Sequence, residues 1–344
     1  VRWPSRIACA ASAALVVLAT TLAAGGDAGA QERDPLASDG AARDDGRIAR
    51  AGDVSRRVRR EERPRAAALP VEGSVSVGRH NTGRLLGGRE IVESEHVRLK
   101  HPNGDQHHGT DELVTLLERS AATVASQFPG SRLTVGDLSR RRGGRFRPHR
   151  SHRSGRDVDV GFYVVDTSGQ LVYHDRFVDF RPDGTTRANP DWRFDDARNW
   201  ALVAAMVGQD DAPVQYMFVA RWLKQRLLDH AASIGAPQEL IDRAAAILDQ
   251  PSRGGRHEDH FHVRIYCPAS DRPRCVDDAP WHAWVARPSA EELAQMRAAD
   301  SSRRAERART RRRADREEAR RRERRRARRA AAAAASEMQE IPGG

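Results

Sequence analysis

The sequence predicts an α+β domain: a small, largely antiparallel sheet with flanking helices, set between a disordered N-terminal linker and an arginine-rich C-terminal tail. Three observations predict it. Residues 71–290 interleave apolar runs of helical and strand period without the regular strand–helix alternation of a parallel sheet. That stretch contains no glycine-rich phosphate loop and no internal repeat. The 344 residues also exceed what one hydrophobic core usually serves, so part of the chain lies outside the domain.

Residues 1–30 carry Arg2 and Arg6, an apolar run from Ile7 to Ala24, and then Ala28-Gly29-Ala30, the three-part pattern of a secretory signal peptide cut after Ala30. A short transmembrane anchor is the rival reading. Either way the remainder leaves the cytoplasm and is periplasmic or secreted. Residues 31–70 alternate Arg with Asp and Glu and hold almost no large apolar residues, so burial cannot offset chain entropy and a solvated linker is expected. In residues 71–290 the texture changes, with five of the six tryptophans and all thirteen histidines.

Within the domain, Thr110 ahead of Asp111 and Glu112 reads as a helix start, and Leu113, Val114, Leu116, Leu117, Ala121 and Val124 follow at helical spacing. Further helices are expected from Asp195 to Val207 and from Ala220 to Ser233, with a short buried strand from Val214 to Val219 between them. Asp157 to Val165 and Phe261 to Tyr266 are the other strands, β-branched and aromatic between turn signals. Residues 291–344 are Arg, Ala and Glu with no apolar face to dock, an appendage whose composition permits an exposed helix.

With 39% apolar, 31% charged and 5% aromatic residues, the composition excludes a polytopic membrane protein, a coiled-coil rod and a collagen. The net charge of +11 invites a nucleic-acid reading, so its location decides. Residues 301–330 hold sixteen arginines against five acids, an excess equal to the whole net charge. The foldable part is neutral, and no specific nucleic-acid partner is expected. The tail's expected partner, if it has one, is an anionic cell-wall or membrane surface.

Five of the thirteen histidines fall in two short windows, His149-Arg150-Ser151-His152 leading to Asp157-Val158-Asp159, and His257-Glu258-Asp259-His260-Phe261-His262. Residues two apart on a strand share a face, so His260 and His262 project together while Phe261 and Val263 enter the core. The same alternation pairs Asp157 with Asp159, and His152 sits on the turn before them. Two histidines and one carboxylate suffice to hold a catalytic zinc with an open fourth position. His257-Glu258-Asp259-His260 is one residue short of the helical His-Glu-x-x-His pattern, so Glu258 is not assigned as a general base. The bland alternative is five surface histidines in polar loops.

Two motifs carry a resemblance. The first window has the form His-x-x-His-x-x-Gly-x-Asp-x-Asp, filled by His149, His152, Gly155, Asp157 and Asp159. The second has His-x-x-His-x-His-Val-Arg followed by Cys-Pro and a further Cys, filled by His257, His260, His262, Val263, Arg264, Cys267, Pro268 and Cys275. Gly136-Asp137-Leu138-Ser139 and Gly143-Gly144 are similar to the approach to the first window. Over residues 71–285 the chain resembles the penicillin-insensitive murein endopeptidases, within the zinc peptidase superfamily of lysostaphin-type enzymes, D-Ala-D-Ala carboxypeptidases and the hedgehog domain.

The resemblance implies one Zn2+ per chain held by His152, Asp159 and His262, with His260 beside it as general base or oxyanion stabiliser. It implies that His149 and His257 are further catalytic-site histidines of undivided labour, and that D-alanyl-meso-diaminopimelate cross-links are hydrolysed by water without a serine nucleophile. Asp157 is expected either to accept a ring N–H from a ligand histidine or to pair with Arg153 or Arg156. Cys267 and Cys275, with seven residues between them, are expected to form a disulfide suited to an exported protein. The rival functions are a D-Ala-D-Ala carboxypeptidase or other peptidoglycan amidase, an inactive zinc-containing binding module, and a basic nucleic-acid binder resting on the tail alone.

Overall fold

A computed structural model describes residues 73–252 and 254–339, with side chains described as far as residue 332. The expected signal peptide and linker lie outside the described residues. Two short strands open the domain, β1 (Val75–Val77) and β2 (Arg84–Leu86), paired antiparallel. After β3 (Arg89–Glu90), β4 (Val97–Leu99) and β5 (His108–Gly109) comes α1 (Asp111–Gln127). Thr110 caps that helix, its hydroxyl accepting from Leu113 N at 3.3 Å, which satisfies one of the free N–H groups of the first turn.

Next come β6 (Leu133–Val135), β7 (Asp157–Gly161), β8 (Val164–Val165), β9 (Arg193–Phe194) and α2 (Asp196–Val207), the last capped by Asp195. The chain continues through β10 (Val214–Phe218), α3 (Arg221–Ser233), α4 (Gln238–Ile247), β11 (Leu248–Asp249), β12 (His260–Ile265) and α5 (Ala290–Gln339). The expected strand from Asp157 to Val165 is thus two strands, and α4 is a helix beyond those expected from the apolar spacing. Helix α4 follows α3 after only the short Ile234-Gly235-Ala236-Pro237 connection, too small a gap for its own periodicity to stand out.

Six strands form the main sheet in the order β11-β10-β12-β7-β6-β4. Its central pairs are antiparallel and its outer pairs, β10 with β11 and β4 with β6, are parallel. The register that matters runs between β7 and β12, where His262 lies opposite Asp159 and Arg264 opposite Asp157. Val158, Val160, Phe261 and Val263 alternate with these and are fully buried in a core shared with Leu113 and Leu117 of α1 and Leu202 of α2. This alternation pins the register, because a slip of one residue would turn the charged set into the core.

Cys267 and Cys275 are disulfide-bonded. Helix α5 corrects one expectation: it has a docked end. Met296 is 1% exposed, and Asp300 accepts from Arg79 Nε at 2.8 Å, so the first turns pack on the domain before the arginine-rich remainder runs into solvent. Among the described residues no helix is long and apolar enough to cross a membrane.

Candidate metal centre

The histidine windows are not loops of surface residues. His152 is fully buried and His262 is 6% exposed. His152 takes a left-handed backbone, φ 57°, a conformation that costs a non-glycine residue on the order of 1–3 kcal/mol and marks a residue held for a purpose. In this pose its Nδ1 donates to Leu138 O at 2.8 Å. The neutral ring then presents Nε2 as a bare lone pair.

His262 is fixed by the same logic from the opposite strand. Its Nε2 donates to Asp157 Oδ1 at 3.0 Å, leaving Nδ1 bare. These tautomers follow from the hydrogen-bond network. The bare nitrogens lie 3.2 Å apart, and Asp159 Oδ1 is 3.3 Å from His152 Nε2 and 2.9 Å from His262 Nδ1. With both rings neutral in these tautomers, three acceptor atoms meet in a buried triangle, an arrangement that repels unless a cation or extra protons occupy it. A tetrahedral zinc about 2.0–2.1 Å from each ligand sets its ligand atoms about 3.3 Å apart, so the triangle fits the ion.

The surroundings favour positive charge at this point. Burial alone would lower the His152 pKa, yet the carboxylates of Asp159 and Asp157 raise it. Burial works against ionising Asp159 as well, but His152 and His260 hold it well below the usual carboxylate range. Asp157 is likewise held far down against its burial by Arg264 and then His262. Arg264 Nε donates to the same Asp157 oxygen at 2.8 Å. Asp157 therefore hydrogen-bonds His262, and its arginine partner is Arg264 rather than Arg153 or Arg156. Arg156 is buried elsewhere, paired with Asp277 at 2.6 Å.

His149 arrives from the same loop as His152, ring centroids 4.3 Å apart. Its Nε2 donates to Asp137 at 2.7 Å, and its Nδ1 faces Asp159 Oδ2 at 3.6 Å. His149, His152 and Asp159 each offer a ligand atom within 4.8 Å of the others, a cluster able to hold a metal ion. The His262 contacts are shorter, which makes His262 the tighter third member and leaves His149 flanking the triangle.

His260 lies 3.5 Å from Asp159 Oδ1 through Nε2 and donates from Nδ1 to Asp259 at 2.7 Å. Burial opposes its charge, but Asp159 and Asp259 raise its pKa to about 10. Phe177 stacks on the ring at 5.0 Å. His257, also left-handed at φ 55°, donates Nδ1 to Gly255 O at 3.0 Å; burial, followed by the charges of His260 and His262, drives its pKa down to about 4. A cleft of about 620 Å³ opens over His149, Asp159, His257, His260 and His262. All seven residues singled out from the two windows therefore gather at one place. Asp137, Leu138 O and Asp259 join these from outside the expected set; the sequence signals Asp137 through the Gly136-Asp137-Leu138-Ser139 segment and Asp259 through its place beside His260.

Comparison with known proteins places the chain beside one family. The family model described as penicillin-insensitive murein endopeptidase matches residues 76–319. Proteins of that name from Escherichia coli O9:H4 (strain HS) and E. coli (strain K12 / DH10B) are each 28% identical to this chain over 214 residues, covering 60% of the chain and 72% of the relative. The Shigella boydii serotype 18 protein of the same name matches to the same extent.

Proposed function

The chain belongs to the penicillin-insensitive murein endopeptidase family, and from that premise we propose a zinc-dependent peptidase, exported to the periplasm or beyond, that hydrolyses D-alanyl-meso-diaminopimelate cross-links of peptidoglycan. The observation that carries the zinc assignment is the buried triangle of His152 Nε2, His262 Nδ1 and Asp159 Oδ1, whose edges match the spacing of ligands around a tetrahedral ion. These three residues would hold the ion, and Asp157 would keep the His262 ring in its ligating tautomer. A divalent ion held there supplies Lewis acidity, polarising a carbonyl oxygen and bringing the ionisation of water close to a pKa of about 7.

The chain's own residues supply the rest. His260 is tethered through Nδ1–H to Asp259, and with its charged form favoured its Nε2–H would serve as a donor to the oxyanion that develops on the attacked carbonyl. The tether fixes the ring and stabilises its charged form, as an aspartate does behind a catalytic histidine. Asp137 fixes His149 at the cleft wall. His257, neutral at physiological pH, lines the same cleft, where it can meet the peptide without adding charge.

The test is metal analysis combined with digestion of purified cross-linked muropeptides, with and without a chelator. Near one equivalent of zinc and chelator-sensitive conversion of dimers to monomers is expected. Release of terminal alanine from dimers that stay intact would instead identify a carboxypeptidase. Dimer splitting that survives complete removal of metal would end the zinc reading.

A further inference from the structure

Away from the candidate metal centre, a groove of about 570 Å³ runs between the β1–β2 hairpin and residues 300–314 of α5. Five arginines line it, Arg84 from β2 and Arg303, Arg304, Arg307 and Arg311 from α5, against the two acids Asp300 and Glu306. Asp300 is already engaged by Arg79 Nε at 2.8 Å and Arg304 Nε at 3.0 Å. The Arg303 Nη2 group is buried and has no hydrogen-bond acceptor among the described residues, its nearest carboxylate oxygen being 3.8 Å away on Asp300. Elsewhere in the domain, Arg153 Nε is buried and equally without an acceptor among the described residues. Burial lowers the pKa of Arg303; Arg307 and Arg84 add to the effect while Asp300 opposes it. Guanidinium groups crowded in this way, one of them with a buried donor unspent, favour a bound anion.

We infer that this groove is a binding site for a linear, base-free phosphodiester polymer. Arg303, Arg307 and Arg311 stand at successive fourth positions on one face of α5, a rise of about 6 Å from each to the next, and Arg84 faces them across the groove. A row of planar forks suits phosphate groups repeating along a chain. No aromatic side chain lines the groove, so the unpaired bases of a single strand would find no surface on which to stack. The exposed part of α5, described as far as residue 332, offers arginines and acids but no large apolar side chain, so it has nothing to insert into a bilayer. The site goes beyond the peptidase reading and does not depend on which bond the enzyme cuts.

The full-length protein should be titrated with lipid-free poly(glycerol phosphate), with a single-stranded oligonucleotide of equal phosphate number, and with phosphatidylglycerol vesicles. Arg84→Ala combined with Arg307→Ala is expected to weaken poly(glycerol phosphate) binding at least about tenfold and to lower the salt-dependence slope by about two, while hydrolysis of a soluble muropeptide dimer stays unchanged. Replacing Arg320, Arg324 and Arg328 together by Ala should change binding less than about threefold. If the double variant melts early, Arg311→Ala on its own should still weaken binding severalfold. Wild-type affinity in the groove variants, an equal loss in the distal triple variant, or tighter binding of the oligonucleotide or the vesicles would each overturn the inference.

Discussion

Strands β7 and β12 and the outer length of α5 are both rich in ionisable side chains, and they treat charge in opposite ways. Between the strands, Asp157, Asp159, His262 and Arg264 face one another across a fixed register, buried, each within hydrogen-bond reach of another. Along α5, from residue 304 to 332, every described residue is exposed, and the carboxylates meet arginines only in pairs such as Glu317 with Arg321 and Glu318 with Arg322. Residues 301–330 carry an excess equal to the net charge of the whole chain, and the facing strands supply the geometry that chemistry requires. Charge that is counted and charge that is placed are different properties. Only burial turns the second into a strong field, because the low dielectric magnifies it and the strand backbone cannot relax it away.

The largest effect should come from breaking the sheet side of this contrast. Asp159→Asn removes the one anion of the triangle while keeping its shape, and leaves His152 and His262 presenting bare nitrogens 3.2 Å apart beside a neutral amide. Zinc content should fall to near zero, and kcat/KM should drop at least about a thousandfold, on the order of 4 kcal/mol of transition-state stabilisation. An Asp159→Asn enzyme that keeps both its metal and its turnover would show that the triangle is not the metal centre.

How far the sequence discloses this region follows from the same physics. Period-two alternation set His260 and His262 on one face and Asp157 and Asp159 on another, because strand geometry leaves no other choice once Phe261, Val263, Val158 and Val160 are buried. Helices α1 and α2 were legible through their caps, Thr110 and Asp195, and the apolar spacing behind them. What alternation cannot show is the cross-strand register: that His262 faces Asp159, or that Arg264 rather than Arg153 or Arg156 holds Asp157, is a long-range fact. Likewise the Leu138 carbonyl that orients His152 is a backbone group, which no residue type announces. The docking of α5 escaped because one methionine and one aspartate, Met296 and Asp300, do what an apolar stripe usually does.

A smaller effect sharpens the register argument. Asp157→Asn keeps an oxygen able to accept from His262 Nε2, but gives up the charge that faces Arg264, which is only 7% exposed. Metal affinity or activity should fall about ten- to a hundredfold, the range typical of outer partners of ligating histidines. Equilibrium zinc competition together with steady-state rates would separate the two, and a variant indistinguishable from wild type in both would mean that Arg264 alone positions the strand pair.

The smallest effect belongs to the helix. Stopping the chain after Ala314 removes most of the tail's arginines but keeps Met296, Asp300 and the groove arginines 303–311. What is lost by residue 332 is exposed side chains and neighbour-to-neighbour ion pairs, which water and salt screen and which contribute little to stability. Muropeptide hydrolysis should stay within about twofold of the full chain. The melting temperature should shift by no more than about a degree, since a change of 1 kcal/mol moves a domain of this size only about 2–4 °C. Stopping instead before Met296 would uncover the hydrophobic seat of the helix and release Arg79 from Asp300, and the melting temperature should fall by several degrees. A large loss from the shorter deletion would mean that the exposed arginines act on the domain after all, and the division between placed and counted charge would have to be redrawn inside α5.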